Sequence, residues 1–304
     1  MLTLTEVPAD QLPARRTAAL DRVTQRRVTS RHLEPETART LVEGLAERDG
    51  SVFLDVSDDG AVVGSLWLGS DGDELAVYDL VLDDLVLDDI DVAGGLVPLL
   101  VGIGRARGSR RVGVGVQPGD RAHRALATLP GFSLRATNME LDLDGEIGDP
   151  GELVLEPMTP SEFDAFMSDE VEGFAQELVA AGADVEAARE RSRTLMDELV
   201  PAGLESPGME FHAARVGNET VGGLWLSTAQ TMAFVYNIEV RPEHRRRGYG
   251  AAIMNAAARH CRDHGHPYLG LNVFAHNPGA RALYDKLGYR VSHDYHALDV
   301  PDAG

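Results

Sequence analysis

One cysteine, Cys261, is all that the 304 residues contain. An intrachain disulfide is thereby excluded, a cysteine-built metal centre lacks ligands, and a reducing compartment is implied. Long apolar runs are missing too. The longest near-apolar stretch, Val92 to Gly104, falls short of the roughly 20 residues that a bilayer crossing needs. The opening Met1-Leu2-Thr3-Leu4-Thr5-Glu6 has neither the basic patch nor the apolar core of a signal peptide. A soluble, cytoplasmic protein with no membrane partner is expected. Basic residues are scarce: Lys and Arg number 28 against 49 Asp and Glu, for a net charge of −21. Phosphate-backbone binding needs a basic footprint, so nucleic acid is excluded as a general partner. An acidic surface attracts a cationic molecule such as an amine, and equally keeps a chain in solution. With 43% hydrophobic and 25% charged residues the composition is ordinary globular. The length suggests two domains.

The chain has only two tryptophans, and they organise it. Val63-Gly64-Ser65-Leu66-Trp67-Leu68 matches Val221-Gly222-Gly223-Leu224-Trp225-Leu226, 158 positions later. The same offset aligns Val77-Tyr78-Asp79-Leu80 with Val235-Tyr236-Asn237-Ile238, and, one residue shorter, Leu129-Pro130-Gly131-Phe132 with Leu287-Gly288-Tyr289. Three matches in order indicate a duplicated domain. Asp142, Asp144, Gly145, Gly148, Asp149, Pro150 and Gly151 read as a linker, which gives domains 1–147 and 148–304.

In the second half, 152–155 is expected to be a strand, 160–181 and 185–199 helices, and 211–215 with 220–226 a hairpin across Gly217-Asn218. A strand over 233–240 leads to an alanine-rich helix over 251–263. A strand over 268–274, a helix over 278–287 between Asn277 and Gly288, and a last strand over 290–298 follow. This order predicts a mixed α/β sheet, mostly antiparallel, with helices on both faces.

The sharpest local feature is Val240-Arg241-Pro242-Glu243-His244-Arg245-Arg246-Arg247-Gly248-Tyr249-Gly250-Ala251, which leaves a strand and opens a helix. Gly248 and Gly250 permit close approach to the backbone. The free amides of the first helical turn form an anion site, and the arginines add charge for a phosphate. A solvated basic loop with turn glycines would look the same. It is neither a Walker loop nor a Gly-x-Gly-x-x-Gly fingerprint. In Asn277-Pro278-Gly279-Ala280-Arg281-Ala282-Leu283-Tyr284-Asp285-Lys286-Leu287-Gly288-Tyr289, Asn277 and Tyr284 project from nearly one helix face. A phenol there could protonate a leaving thiolate; a cap and a packed ring are the plainer roles.

These segments resemble the GNAT superfamily of acyl-CoA-dependent N-acyltransferases. The family's Arg/Gln-x-x-Gly-x-Gly/Ala loop is matched by Arg245-Arg246-Arg247-Gly248-Tyr249-Gly250, after Val240-Arg241-Pro242. Its downstream pattern is matched by Asn277, Ala280, Tyr284, Gly288 and Tyr289, with Leu271-Asn272-Val273-Phe274 leading in. The resemblance implies two tandem GNAT-like domains, acetyl-CoA as acyl donor, and an amine acceptor. It implies that the amides from Arg246 to Ala251, including Arg247, Gly248, Tyr249 and Gly250, hold the pyrophosphate. Arg245 belongs to the same loop. Ile238 and Val240 would bond the acetyl carbonyl and pantetheine arm through their backbones, Ile238 N–H in the manner of an oxyanion hole. Asn277, with Ala280, would contact the CoA arm, and Tyr284 would protonate the CoA sulfur. The general base is open: Glu239 is one candidate, although strand alternation turns it from the face of Ile238 and Val240. Tyr236 and Asn272 are others, and Asn237 could orient a water. No metal ligand set is assigned.

Shifted back by 158, the loop falls on Leu87, Ile90 and Val92 amid Asp83, Asp84, Asp88, Asp89 and Asp91, and Tyr284 falls on Ala127. Five carboxylates repel a pyrophosphate, so the first domain is expected to be a degenerate copy without an acetyl-CoA site. The leading expectation is acetyl transfer to a primary amine. Asp164, Asp169, Glu170, Glu172 and Glu177 on the helices over 161–199 would suit a cationic acceptor, and equally are what any solvated helix face carries. The alternatives are a mycothiol synthase-like tandem acetyltransferase and a non-catalytic acyl-CoA sensor. A monomer or a homodimer is compatible with the sequence.

Overall fold

The computed structural model describes residues 1–87, 94–180 and 184–301. The acidic loop positions Asp88, Asp89, Ile90, Asp91 and Val92, and the side chains of Leu87 and Glu177, lie outside the described residues. Two compact units form. One comprises Met1–Met139, Asn272–Pro278 and Arg290–Gly304; the other comprises Glu140–Leu271 and Gly279–Tyr289.

In the first unit, β1 (Leu2–Glu6), α1 (Leu12–Arg31) and α2 (Pro35–Glu47) precede the meander β2 (Val52–Asp58), β3 (Ala61–Asp71) and β4 (Glu74–Leu82). Then come the short α3 (Asp84–Leu87), α4 (Leu96–Ala106), β5 (Arg111–Val116), α5 (Arg121–Ala127) and β6 (Ser133–Asp142). The second set runs β7 (Leu153–Pro157), α6 (Pro160–Ala180), α7 (Val185–Leu199), β8 (Met209–Val216), β9 (Glu219–Ser227) and β10 (Met232–Val240). It ends with α8 (Tyr249–Asp263), β11 (Tyr268–Phe274), α9 (Pro278–Lys286) and β12 (Arg290–Asp299). Apart from the short α3, the described helices and strands follow the same order in both sets, and each element expected between 152 and 298 forms within a few residues of its predicted bounds.

Strands of the first unit lie in the order β1-β2-β3-β4-β5-β12-β6. Only β4 and β5 among its registered pairs run parallel; β1–β2, β2–β3, β3–β4 and β5–β12 are antiparallel. The second unit has the order β11-β10-β9-β8-β7, with β10 and β11 parallel and the rest antiparallel.

The two tryptophans play one structural part twice. Trp67 is buried under α1 and α2 with Leu20, Val23 and Val42, stacked on Phe53 at 5.2 Å and tilted on Tyr78 at 5.1 Å. Trp225 is buried under α6 and α7 with Phe166 and Met196, stacked on Phe211 at 5.3 Å and on Tyr236 at 4.8 Å. Phe53, Trp67 and Tyr78 thus recur as Phe211, Trp225 and Tyr236 at the offset of 158. The opposite sheet faces carry α4 and α5 in one unit, through Leu100 and Leu126, and α8 in the other, whose Ile253, Met254, Ala257, Ala258 and Cys261 are buried. That is the face its sequence periodicity presents.

The compact units depart from a linear cut at 147/148. That cut separates the sequence repeats, but β12 pairs with β5, from Asp294 opposite Val116 to Asp299 opposite Arg111. Strand pairing depends on which edge is free in space, and linear spacing carries no record of it. Residues 1–147 expressed alone would leave the β5 edge open over 111–116, a template for aggregation. The expected result is a fragment that binds a hydrophobic dye and self-associates in gel filtration; a monomer with a sharp unfolding transition would contradict it.

Candidate active site

The pairing of β10 sets the geometry. Against β9 it continues from Phe234 to Val240, with an extra residue, Tyr236, between Val235 and Asn237. Against β11 it covers only Met232 to Val235. Beyond Val235 the two parallel strands part, so the backbone of 236–240 has one edge on β9 and no registered partner on β11. An inserted residue bends a strand and interrupts its ladder, and here it stands two positions before Ile238.

Cross-strand neighbours share a sheet face. Asn237 opposes Trp225 and Glu239 opposes Gly223, so both lie on the α6 side; Ile238 and Val240 oppose Leu224 and Gly222 and lie on the α8 side. This separation is the one that strand alternation predicts. Asn237 Nδ2 donates a hydrogen bond to Glu170 on α6. Glu239 lines a pocket of about 310 Å³ with Ser161, Glu162, Asp169, Gly222 and Arg241. Glu162 is engaged elsewhere: its carboxylate accepts from Thr159 N at 3.0 Å and from Arg215 at 2.6 Å. The Thr159 amide is the main cause holding its carboxyl below the usual range.

At the end of β10, Pro242–His244 make one 3-10 turn, and Arg245 Nε donates back to Val240 O at 3.0 Å. Arg245 therefore fastens the strand end, a task its sequence did not reveal. Arg246 takes φ 65° and Gly248 φ 85°. The left-handed region costs a non-glycine residue about 1–2 kcal/mol, so Arg246 holds a strained backbone at the centre of the basic turn. Ala252 N on Gly248 O at 3.1 Å is the first bond of the α8 ladder. The amides of Tyr249, Gly250 and Ala251 precede it and have no intrahelical acceptor. Arg245, Arg246 and Arg247 are exposed around them. A Cβ on Gly250 would lie 3.2 Å from Leu283 Cδ2 and 3.9 Å from Val240 Cγ2. This glycine lets the start of α8 sit between the end of β10 and the residue before Tyr284.

Tyr284 is buried, 5.8 Å between ring centroids from Tyr289, and burial raises its phenol above the usual range. It stays protonated at neutral pH, the state a proton donor needs. Asn277 is exposed in the turn after β11, its amide donating to Phe274 O at 3.0 Å. Ala280 sits in the first turn of α9. Tyr236 and Asn272 are exposed, with Asn272 Nδ2 donating to Asn138 Oδ1 at 2.7 Å.

In the first unit, β4 and β5 also part early, pairing only from Glu74 to Val77, and Tyr78 is again the extra residue. There a side chain occupies the backbone: Arg26 donates to Tyr78 O at 2.9 Å, to Asp79 Oδ1 at 2.6 Å and to Asp120 Oδ2 at 3.2 Å. Arg22 adds a second bond to Asp79 at 2.6 Å. Sequence comparison missed this ion-pair plug, because Arg22 and Arg26 lie more than fifty residues from Asp79.

Among known proteins, the profile of the Acetyltransferase (GNAT) family matches residues 173–289. The uncharacterized N-acetyltransferase YycN of Bacillus subtilis is 31% identical over 144 residues, 45% of this chain and 92% of that protein. The mycothiol acetyltransferase of Nocardiopsis dassonvillei is 37% identical over 69 residues, 23% of this chain and 21% of that protein. A GCN5-related N-acetyltransferase structure from Sphaerobacter thermophilus matches 99% of this chain and 97% of its own, with TM-score 0.55 and 15% identity. The chain belongs to the GNAT acetyltransferase family, and its fold is a tandem of two such mixed α/β domains. Among the described residues no helix is long and apolar enough to cross a membrane.

Gly248→Ala is expected to destabilise the second unit by about 1–2 kcal/mol, since alanine resists φ above zero. Urea unfolding checks it; an unchanged midpoint would show that the turn relaxes without strain.

Proposed function

We propose that the chain transfers an acetyl group from acetyl-CoA to a primary amine, using the site of the second domain alone. The observation that carries this reading is the conjunction of a backbone edge over 236–240 that has no register with β11 and a strained, arginine-flanked helix start immediately after it. The residues present fit the donor. Three amides without intrahelical acceptors and the positive end of α8 suit a pyrophosphate, and the left-handed Gly248 and close-packed Gly250 keep side chains out of its way. The open edge of β10 suits an extended amide-bearing arm, which would add to it as a strand does. Acetyl-CoA, when bound, supplies an acyl group activated as a thioester.

The chain's own residues do the rest. Ile238 N–H offers a fixed donor for the oxygen on which charge develops. Tyr284 holds a phenolic proton for the departing sulfur, with Ala280 beside the arm. On the α6 side, Glu239 and Asp169 give the pocket a negative wall that draws a cationic amine and keeps neutral molecules at a disadvantage. Glu239 takes the proton that the amine must lose before attack. The plugged backbone of Tyr78 supports one coenzyme per chain, because Arg26 bonds the first residue of the stretch that corresponds to 236–240.

A second reading takes the acceptor to be a thiol-bearing sugar amine, favoured by the short match to a mycothiol acetyltransferase. The deciding experiment follows CoA release across amines, amino acids, peptides, aminoglycosides and a cysteinyl sugar amine. Coenzyme binding without release on any of them would make the protein a sensor and overturn the proposal.

Tyr284→Phe should lower kcat at least tenfold and leave acetyl-CoA affinity within about twofold; unchanged turnover would remove Tyr284 from its role. Glu239→Gln should lower kcat/KM at pH 7 and recover toward wild type as pH rises, because the amine then deprotonates without help. A deficit independent of pH would assign Glu239 to packing. Calorimetric titration should give one acetyl-CoA per chain, and a value of two would show that the Arg26 plug opens.

A further inference from the structure

Away from the turn at the start of α8, near the other end of the same helix, three metal-ligating side chains converge. Glu210 and His212 come from β8 and His260 from α8, and their ligand atoms all lie within 4.8 Å of one another. Both imidazoles address one oxygen: Glu210 Oε2 is 3.0 Å from His212 Nε2 and 2.7 Å from His260 Nε2. The other oxygen, Oε1, accepts from Thr228 Oγ1 at 3.1 Å, which fixes the carboxylate with Oε2 toward the histidines. The ring of His260 is backed by His264 at 4.2 Å between centroids, and His264 is tied through Nδ1 to His260 O at 2.8 Å. The cluster is reachable. His212 is buried at 7%, while the side chains of Glu210 and His260 keep 30% and 24% of their exposure.

We propose that Glu210, His212 and His260 form a binding site for a first-row divalent cation of the zinc type. The donor set argues for that class: two neutral imidazoles and one carboxylate suit zinc and its neighbours, whereas magnesium and calcium prefer oxygen ligands. The spacing argues for it too. Metal–ligand bonds of about 2.0–2.1 Å place tetrahedral donors about 3.3 Å apart, so separations of 3.0 and 2.7 Å need only a small outward movement. On binding, each Nε2 gives its lone pair to the metal and its proton moves to Nδ1 or to solvent. A water completes the fourth position. The oriented Oε1–Thr228 bond is the outer support such a carboxylate needs.

His260 stands ten residues beyond Gly250, about 15 Å along the helix axis. The cation therefore acts on structure, cross-linking β8 to the last turns of α8, and not on the transferring group. The sequence hid it because Glu210 and His212 sit 50 and 48 positions from His260 and follow no ligand spacing.

The test uses the full-length chain without a polyhistidine tag. Equilibrium dialysis against Zn2+ with elemental analysis should give one zinc per wild-type chain, a rise in Tm on zinc addition, and reversal by EDTA. Glu210→Gln and His260→Gln should each weaken zinc binding at least tenfold and abolish the Tm rise, whereas His264→Gln should keep both. Co2+ in place of Zn2+ should give the intense visible absorption of a four-coordinate site in the wild type. No zinc retained by the folded wild type, or equal retention in folded Glu210→Gln and His260→Gln, would overturn the site. If a variant fails to fold, the wild-type stoichiometry and cobalt spectrum still decide. None of these readouts involves acetyl transfer.

Discussion

One inserted residue governs the second domain. Tyr236 stands out of register between Val235 and Asn237, and at that point β10 loses its parallel partner. Backbone groups in a sheet interior are otherwise paired, because leaving them dry and unbonded is costly. A stretch with one edge released is therefore a place where something else can bond. The stack of Phe211, Trp225 and Tyr236 anchors the bulge: Trp225 cannot move without disturbing both the helices above it and the tyrosine beside it. The start of α8 follows the released edge directly, so amide donors and an open strand edge adjoin in a single stretch of chain.

The first domain shows what the same architecture becomes when that edge is used internally. It has the same aromatic trio and the same extra residue, Tyr78. Arg26 and Arg22 reach down from α1 to the nearly inaccessible carboxylate of Asp79, and Arg26 also binds the Tyr78 carbonyl. In the second domain the equivalent of Asp79 is Asn237, a neutral amide bonded to Glu170 on α6. A buried carboxylate demands a cation; an amide does not. That difference at one position accounts for paired arginines on the strand in one copy and a side-chain amide bond to α6 in the other.

Charge works locally against the average. A chain at −21 gathers exposed arginines at the start of α8 and carboxylates on the α6 side of β10, at Asp169 and Glu239. Opposite potentials on two sides of one strand suit two molecules of opposite charge meeting there, as the proposed reaction requires. Arg246, strained at φ 65°, fits the pattern in which unfavourable backbone geometry is retained at working sites.

Much of this was determined by the sequence by itself. The elements from β7 to β12, the repeat at 158, and the turn around Gly248 are local matters: periodicity, caps and glycine conformation act over a few residues, so they can be read in order. Strand alternation also placed Ile238 and Glu239 on opposite faces, because side chains alternate whatever the sheet does later. Tertiary structure alone decided the pairing of β12 with β5, the parting of β10 from β11, the Arg26–Asp79 plug and the meeting of Glu210 with His260. Each joins residues separated by fifty or more positions, or turns on which edge of a strand finds a partner. Such choices are made by packing in three dimensions, where distance along the chain has no force.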